Sequence, residues 1–265
     1  MNRSQIARSV STLIALAAAL AAHTAMATII QRPFDSATSS PPSLSVLSSV
    51  SIANDGGPLG SRVYFGTFNL NNNDLIVHAT NEATALANYA NVFDMVRSGF
   101  DHGDWLGTGI TSGIAATDAA DGYESTALGV ILNDDGSGVN PDGSGDPIWN
   151  TFDGHSMSQY DVIVKYTFYG DTLLRGFVDN SDLSVVQGNV GMQKGWINGE
   201  FNYTGGAVSN LDVLETQRSL TYESRYPIAS TPVSDPPPPL MPEPSSLILA
   251  AAALGLAFGF RRMKL

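Results

Sequence analysis

Two stretches of this chain carry oxygen-bearing side chains at nearly the same spacing, and both lie between Gly170 and Leu214. In the first, Asp171 follows a glycine and Gly176 turns the chain. Asp179 and Asp182 then close the stretch ahead of the apolar Leu183, Val185 and Val186. In the second, Glu200 follows Gly199, Asn202 and Thr204 come next, Gly205-Gly206 turn the chain, and Ser209 and Asp212 precede Val213 and Leu214. Hard cations such as Ca²⁺ are held by oxygen. A calcium loop supplies it from its first, third, fifth, ninth and twelfth places, with glycine sixth to turn the chain. The first stretch puts Asp171, Asp179 and Asp182 at the first, ninth and twelfth places. Its third and fifth places are Leu173 and Arg175, whose side chains cannot bind a cation. The second supplies Glu200, Asn202 and Thr204 early, and Ser209 and Asp212 fit the ninth and twelfth places if one of the two glycines is an insertion. These eight oxygen-bearing residues are the candidate metal ligands.

The pair resembles a dockerin type I-like, EF-hand-like module of the variant found in secreted proteins of planctomycetes and related bacteria. The resemblance covers about fifty residues and implies loop carboxylates that hold Ca²⁺ and following helices that pack together, through Leu183, Val186, Leu211 and Leu214. The preceding segment is similar to the one that leads into such repeats in planctomycete surface proteins: FNLNNNDLIV (68–77), GDWLGTGITS (103–112) and YTFYGD (166–171) match its strand pair, turn and entry. That similarity implies an organisation and carries no activity.

Composition narrows the function. Charged residues make up 14%, with 26 Gly and 14 Pro, which suits a loop-rich β protein. Cysteine is absent, so thiol catalysis, thiolate zinc sites and disulfides are all excluded. Between residues 28 and 244 there are 25 acidic and eight basic residues, a net charge of −17. Such a surface repels nucleic acid and favours divalent cations or basic partners.

Both ends read as addresses. Residues 1–27 have the form of a secretory signal, with Arg3 and Arg8, an apolar run from Val10 to Ala22, and a cleavage site after Ala27. At the other end, Pro242-Glu243-Pro244 leads into an apolar run from Leu247 to Phe260 and then Arg261, Arg262 and Lys264. Tripeptide, apolar helix and basic tail in this order resemble a PEP-CTERM sorting signal. The resemblance implies a transmembrane sorting helix that anchors the chain until a membrane protease removes the tail.

Between the addresses, Leu44–Ile52 reads as a possible strand in a low-complexity lead-in. Val63, Phe65, Phe68 and Leu70 suggest a strand, the Asn71–Asp74 cluster a turn, and Leu75-Ile76-Val77 a return strand, hence a hairpin. Asn81–Ser98 is the best helix, with Ala83, Leu86, Ala87, Ala90, Phe93 and Val96 near helical spacing, Asn81 as N-cap and Gly99 as stop. Ala127–Leu132 is an apolar run, and Tyr160–Tyr169 a β segment with alternating faces.

Other constellations offer less. Asp101-His102-Gly103-Asp104-Trp105 sets a carboxylate beside an imidazole, as a general base requires, yet Gly-Asp-Trp reads as a structural turn. Ser112 lacks a nucleophile elbow, because its glycine is three residues upstream. Residues 134–146, with Asp134, Asp135, Asn140, Asp142 and Asp146, form an oxygen-rich loop open to calcium or to plain hairpin use. Trp105, Trp149, Tyr166, Phe168 and Tyr169 suit either a carbohydrate-binding face or core packing.

The expected protein is α+β: a signal peptide (1–27), a lead-in (28–61), a small β-rich domain with one helix (62–168), a dockerin-like repeat pair (169–220), a Pro-rich linker (221–240) and the sorting signal (241–265). The expected function is that of an exported, non-enzymatic cell-surface or matrix protein with Ca²⁺ as possible cofactor. Its partners would be the membrane and sorting protease before processing, then a surface protein or glycan. The alternative is a polysaccharide-associated accessory protein or a glycoside hydrolase component carrying a dockerin.

Overall fold

The computed structural model describes residues 43–122, 124–192 and 195–223. Their centre is a four-stranded sheet in the order β1 (Leu44–Leu47), β3 (Asp74–Val77), β8 (Val162–Phe168), β5 (Thr126–Leu132). β1 runs parallel to β3, while β8 pairs antiparallel with both β3 and β5. The apolar runs noted above become β5 and β8, but β8 does not alternate: all seven of its residues are buried, including Lys165 and Thr167. Lys165 is accommodated by Asp74, its ion-pair partner across the sheet at 2.7 Å.

The expected hairpin over residues 63–77 does not form. β2 (Thr67–Asn69) instead pairs in parallel with β4 (Gly109–Thr111), forming a second, two-stranded sheet. Val63 and Phe65 point to solvent, whereas Tyr64 between them is buried and donates to Asp94 Oδ2 at 2.7 Å. A third small sheet joins β6 (Thr151–Phe152) to β7 (His155–Ser156).

Helix α1 spans Glu82–Phe100, and the Asn81 side chain caps it by accepting from Thr84 N. Gly99 does not stop it; the helix ends at Asp101, in the left-handed conformation. Gly99 serves a different end: a β-carbon there would lie 1.9 Å from Ile110 O, and one on Gly109 would lie 2.2 Å from Met95 O. The last turns of α1 therefore rest directly on the backbone of β4, and this close approach accounts for Gly107 and Gly109 of the GDWLGTGITS segment. The buried stripe of α1 is also rotated from the expected one: Ala85, Val92, Met95, Val96 and Phe100 are buried while Leu86 is exposed.

The expectation of a β-rich part with one helix is corrected. Among the described residues the architecture is α+β with mixed sheets and four α-helices, two of them ahead of the repeats. α2 covers Gly113–Ala120 and is capped by Ser112, whose Oγ accepts from Ala115 N and donates to Asn71 O. Four of its eight residues are alanine and Ile114 is its one large apolar residue, so little apolar periodicity marks it in the sequence. The other two helices, α3 (Asn180–Gly188) and α4 (Asn210–Glu223), follow the two loops. The expected transmembrane helix has no counterpart among the described residues, where no helix is long and apolar enough to cross a membrane. The segments that suggested export and anchoring, with Ala27, Pro242, Glu243, Pro244, Arg261 and Arg262, lie outside the described residues.

Sheet and repeats share one core. Trp196 lies where a β-carbon on Gly129 of β5 would come within 2.6 Å of its ring, and its Nε1 donates to Asp171 O. Tyr203, from the second loop, donates its hydroxyl to Leu128 O and packs against Phe93, Phe100, Trp105 and Trp196, with ring centroids 5.2–6.3 Å apart. Each such aromatic pair contributes about 0.5–1.5 kcal/mol beyond its area.

Candidate functional site

The eight candidate ligands fall into two loops that are copies of one another in backbone as well as spacing. Asp171, Thr172, Leu174 and Arg175 lie 29 residues before Glu200, Phe201, Tyr203 and Thr204. After the extra glycine, Asp179, Asp182 and Val186 lie 30 before Ser209, Asp212 and Thr216. Leu174 and Tyr203 both take positive φ, at 58° and 54°, and the turning glycines Gly176 and Gly205 do the same. Asp182 Oδ1 accepts from Thr172 N as Asp212 Oδ1 accepts from Phe201 N, and their Oδ2 atoms accept from Asp179 N and Ser209 N. Asp171 Oδ1 accepts from Arg175 N as Glu200 Oε1 accepts from Thr204 N.

Each loop is also locked onto the helix of the other copy. A β-carbon on Gly170 would meet Thr216 of α4 at 2.9 Å, and one on Gly199 would meet Val186 of α3 at 2.9 Å. Helix packing thus runs through Val186 and Thr216, with Leu183 and Val213 half-buried. Leu211 and Leu214, expected between the helices, point to solvent at 67% and 59% exposure. They share the outward face of α4 with Asn210, while the inward face is Asp212, Thr216 and Ser219.

The loops differ in what neutralises their carboxylates. In the first, Arg175 folds back so that Nη1 lies 2.9 Å from Asp179 Oδ2 and Nη2 2.5 Å from Asp182 Oδ2. Asp179 is held well below the usual carboxylate range, first by Arg175 and then by Ser181. Burial pushes Asp171 and Asp182 upward, and Asp182 adds to the shift of Asp171. Both Asp171 oxygens are occupied by donors from Thr167, Arg175 N and Gly176 N. Leu173, at the third place, is core, and Trp149 Nε1 donates to its carbonyl.

Among the described residues, no cationic side chain pairs with the carboxylates of the second loop. Glu200 is fully buried; its Oε1 accepts from Thr204 N and Oγ1, and its Oε2 has no hydrogen-bond partner among the described residues. Burial pushes this carboxyl up, with Asp212 adding to the effect. Asn202 Oδ1 accepts from Thr204 N, and Ser209 Oγ donates to Asp212 Oδ2. The orphaned, buried Glu200 Oε2 belongs to a loop that also carries the amide oxygen of Asn202 and the hydroxyls of Thr204 and Ser209, the oxygen types that a hard cation takes. The first loop does not fit one, because Arg175 stands where the charge would go. Among the described residues no group of three acidic or imidazole side chains is arranged to hold a metal, so a second-loop ion would draw on neutral oxygens for most of its shell.

The remaining constellations resolve into structure. His102 and Asp101 both have positive φ on an outer corner, and the imidazole is 97% exposed. In the 134–146 loop, Asp134 accepts from Gly136 N and Gly145 N, and Asp135 from Ser137 N and Asp146 N, so these carboxylates brace turns. Trp105, Trp149, Tyr166, Phe168 and Tyr169 are all buried, which removes them as a glycan-binding face. Beside the second loop lies a groove of about 560 Å³ with Phe100 and Ala116 among its lining residues, along with Glu124, Glu215 and Arg218.

No protein-family model, curated protein or solved structure matches the chain.

Proposed function

We propose that the chain is an exported, non-enzymatic surface or matrix protein whose second repeat binds a single Ca²⁺ and thereby stabilises the part that bears it. The observation that carries this reading is Glu200 Oε2, a carboxylate oxygen buried without a hydrogen-bond partner among the described residues. Glu200, Asn202, Thr204, Ser209 and Asp212 would hold the ion, which would supply the positive charge that Glu200 and Asp212 lack. Because Gly199 lies against Val186 of α3, an ion in this loop bears on both helices at once. The signal-like residues 1–27 and the sorting-like tail with Pro242-Glu243-Pro244 support export to the surface. The cluster Trp105, Trp149, Tyr166, Phe168 and Tyr169 is used in the core, which favours the structural reading over the polysaccharide-directed one.

Calorimetric titration of Ca²⁺ into chelator-treated protein tests the reading. One saturable site is expected, lost in Glu200→Gln, with a higher melting temperature in Ca²⁺ than in chelator. Absence of heat together with equal melting temperatures in both conditions would reject it.

A further inference from the structure

We propose that Arg175 is the resident cation of the first loop: its guanidinium does what a metal ion would do there, so α3 is held in place without metal. The copy relation fixes the argument. Arg175 occupies the place that Thr204 occupies in the second loop, the fifth place of the calcium pattern, where a ligand is expected. Instead of supplying oxygen to an ion, the chain supplies the positive charge itself.

Four observations agree. The Arg175 side chain is only 12% exposed and is directed inward, to Asp179 on one side and to the almost wholly buried Asp182 on the other. The ring of Phe177 lies 4.2 Å from its Cζ and covers it. A planar guanidinium with several donors suits a pair of carboxylates better than a point charge does. Finally, every carboxylate oxygen of Asp171 and Asp182 accepts a hydrogen bond, from Thr172, Arg175, Gly176, Asp179 or Thr167, and none is left orphaned as Glu200 Oε2 is. Without the guanidinium, three carboxylates within twelve residues would face one another with two of them buried, which is unfavourable unless they are protonated or a cation enters.

This inference does not depend on Ca²⁺ binding by the second loop, because its first test is made in chelator. Thermal unfolding of the full-length protein in excess chelator is compared for the wild type, Arg175→Met, Arg175→Lys and Arg175→Asp. Removing one partner of a buried ion pair lowers the melting temperature of Arg175→Met by roughly 6–20 °C. Arg175→Lys retains part of the difference. Arg175→Asp, which installs an oxygen ligand where the guanidinium was and adds a fourth carboxylate, is at least as unstable as Arg175→Met in chelator. It recovers in CaCl₂, and calorimetry shows one more Ca²⁺ than the wild type binds. Should Arg175→Met not fold, the double variant Arg175→Met/Asp182→Asn, which removes both signs of charge, is expected to fold. Wild-type stability of Arg175→Met in chelator would overturn the proposal. So would no recovery of Arg175→Asp in CaCl₂, or a double variant as unstable as the single one.

Discussion

Lys165 Nζ lies 2.7 Å from Asp74 Oδ2, and both side chains are almost wholly withdrawn from water. They join β8 to β3 in the middle of the sheet, and the ammonium also faces the ring of Phe152 at 5.1 Å. Burial pushes the Asp74 carboxyl up, and Lys165 pulls it back down. Lys165→Met leaves that carboxyl buried without its cation and is expected to lose about 3–5 kcal/mol in chemical denaturation. Replacing both, as Asp74→Leu/Lys165→Met, should recover most of the loss. A single variant as stable as the wild type would show that the pair makes no net contribution.

Gly129→Ala tests the seat of Trp196. The added carbon would stand 2.3 Å from Leu174 Cδ2 and 2.6 Å from Trp196 Cε2, so both repeat-derived side chains must shift. Overpacking of this kind costs about 1–3 kcal/mol. The expected result is that loss together with a changed near-ultraviolet circular dichroism signal from displaced tryptophan.

At Gly99 two effects oppose each other. Alanine favours the helix by about 1 kcal/mol over glycine, but its β-carbon would lie 1.9 Å from Ile110 O, a backbone atom that cannot swing aside. The clash should win, and Gly99→Ala should unfold at lower denaturant concentration than the wild type. Greater stability would mean that α1 and β4 separate more readily than their contact implies.

Alkali provides a test of the aromatic core. Tyr64 is pushed up to about 12 by burial and by Asp94, and Tyr89 to about 12 by burial. Tyr169 and Tyr203 are raised as well, chiefly by burial. Because these folded-state values exceed the ordinary 10.0 of an unfolded chain, the folded protein holds more protons than the unfolded one as pH rises through that range. Stability is therefore full below pH ~10 and falls as pH climbs toward 12 and beyond. Spectrophotometric titration of the nine tyrosines should show these four ionising only as the protein unfolds. Smooth titration of all nine while the circular dichroism remains native would contradict the packing.

Parts of this structure are legible in the sequence where the signal is local. Asn81 announces the start of α1, and the apolar runs at 127–132 and 160–169 become β5 and β8. The missed features depend on distant partners. The pairing of Phe68 with Ile110 rather than with a hairpin neighbour follows from the approach of α1 to β4 at Gly99 and Gly109. The burial of every β8 residue follows from elements that cover both faces. At the candidate site, the spacing of Asp171, Asp179, Asp182, Glu200 and Asp212 shows the duplication plainly. Arg175, in contrast, reads only as a departure from a ligand pattern. Its role depends on a side chain that folds back to residues four and seven places ahead, which spacing alone does not show.

The reciprocal contacts Gly170–Thr216 and Gly199–Val186 bear on the order in which this chain can complete itself. Neither copy of the loop can settle before the other's helix exists, and the notch over Gly129 stays open until Trp196 arrives. In a chain emerging from its N-terminus the central sheet can close only once β8 has emerged, and its flank over Gly129 stays uncovered until the repeats follow. During that interval the protein is vulnerable to aggregation and to proteolysis. A truncation anywhere inside α4 should behave as a folding intermediate rather than as a smaller domain.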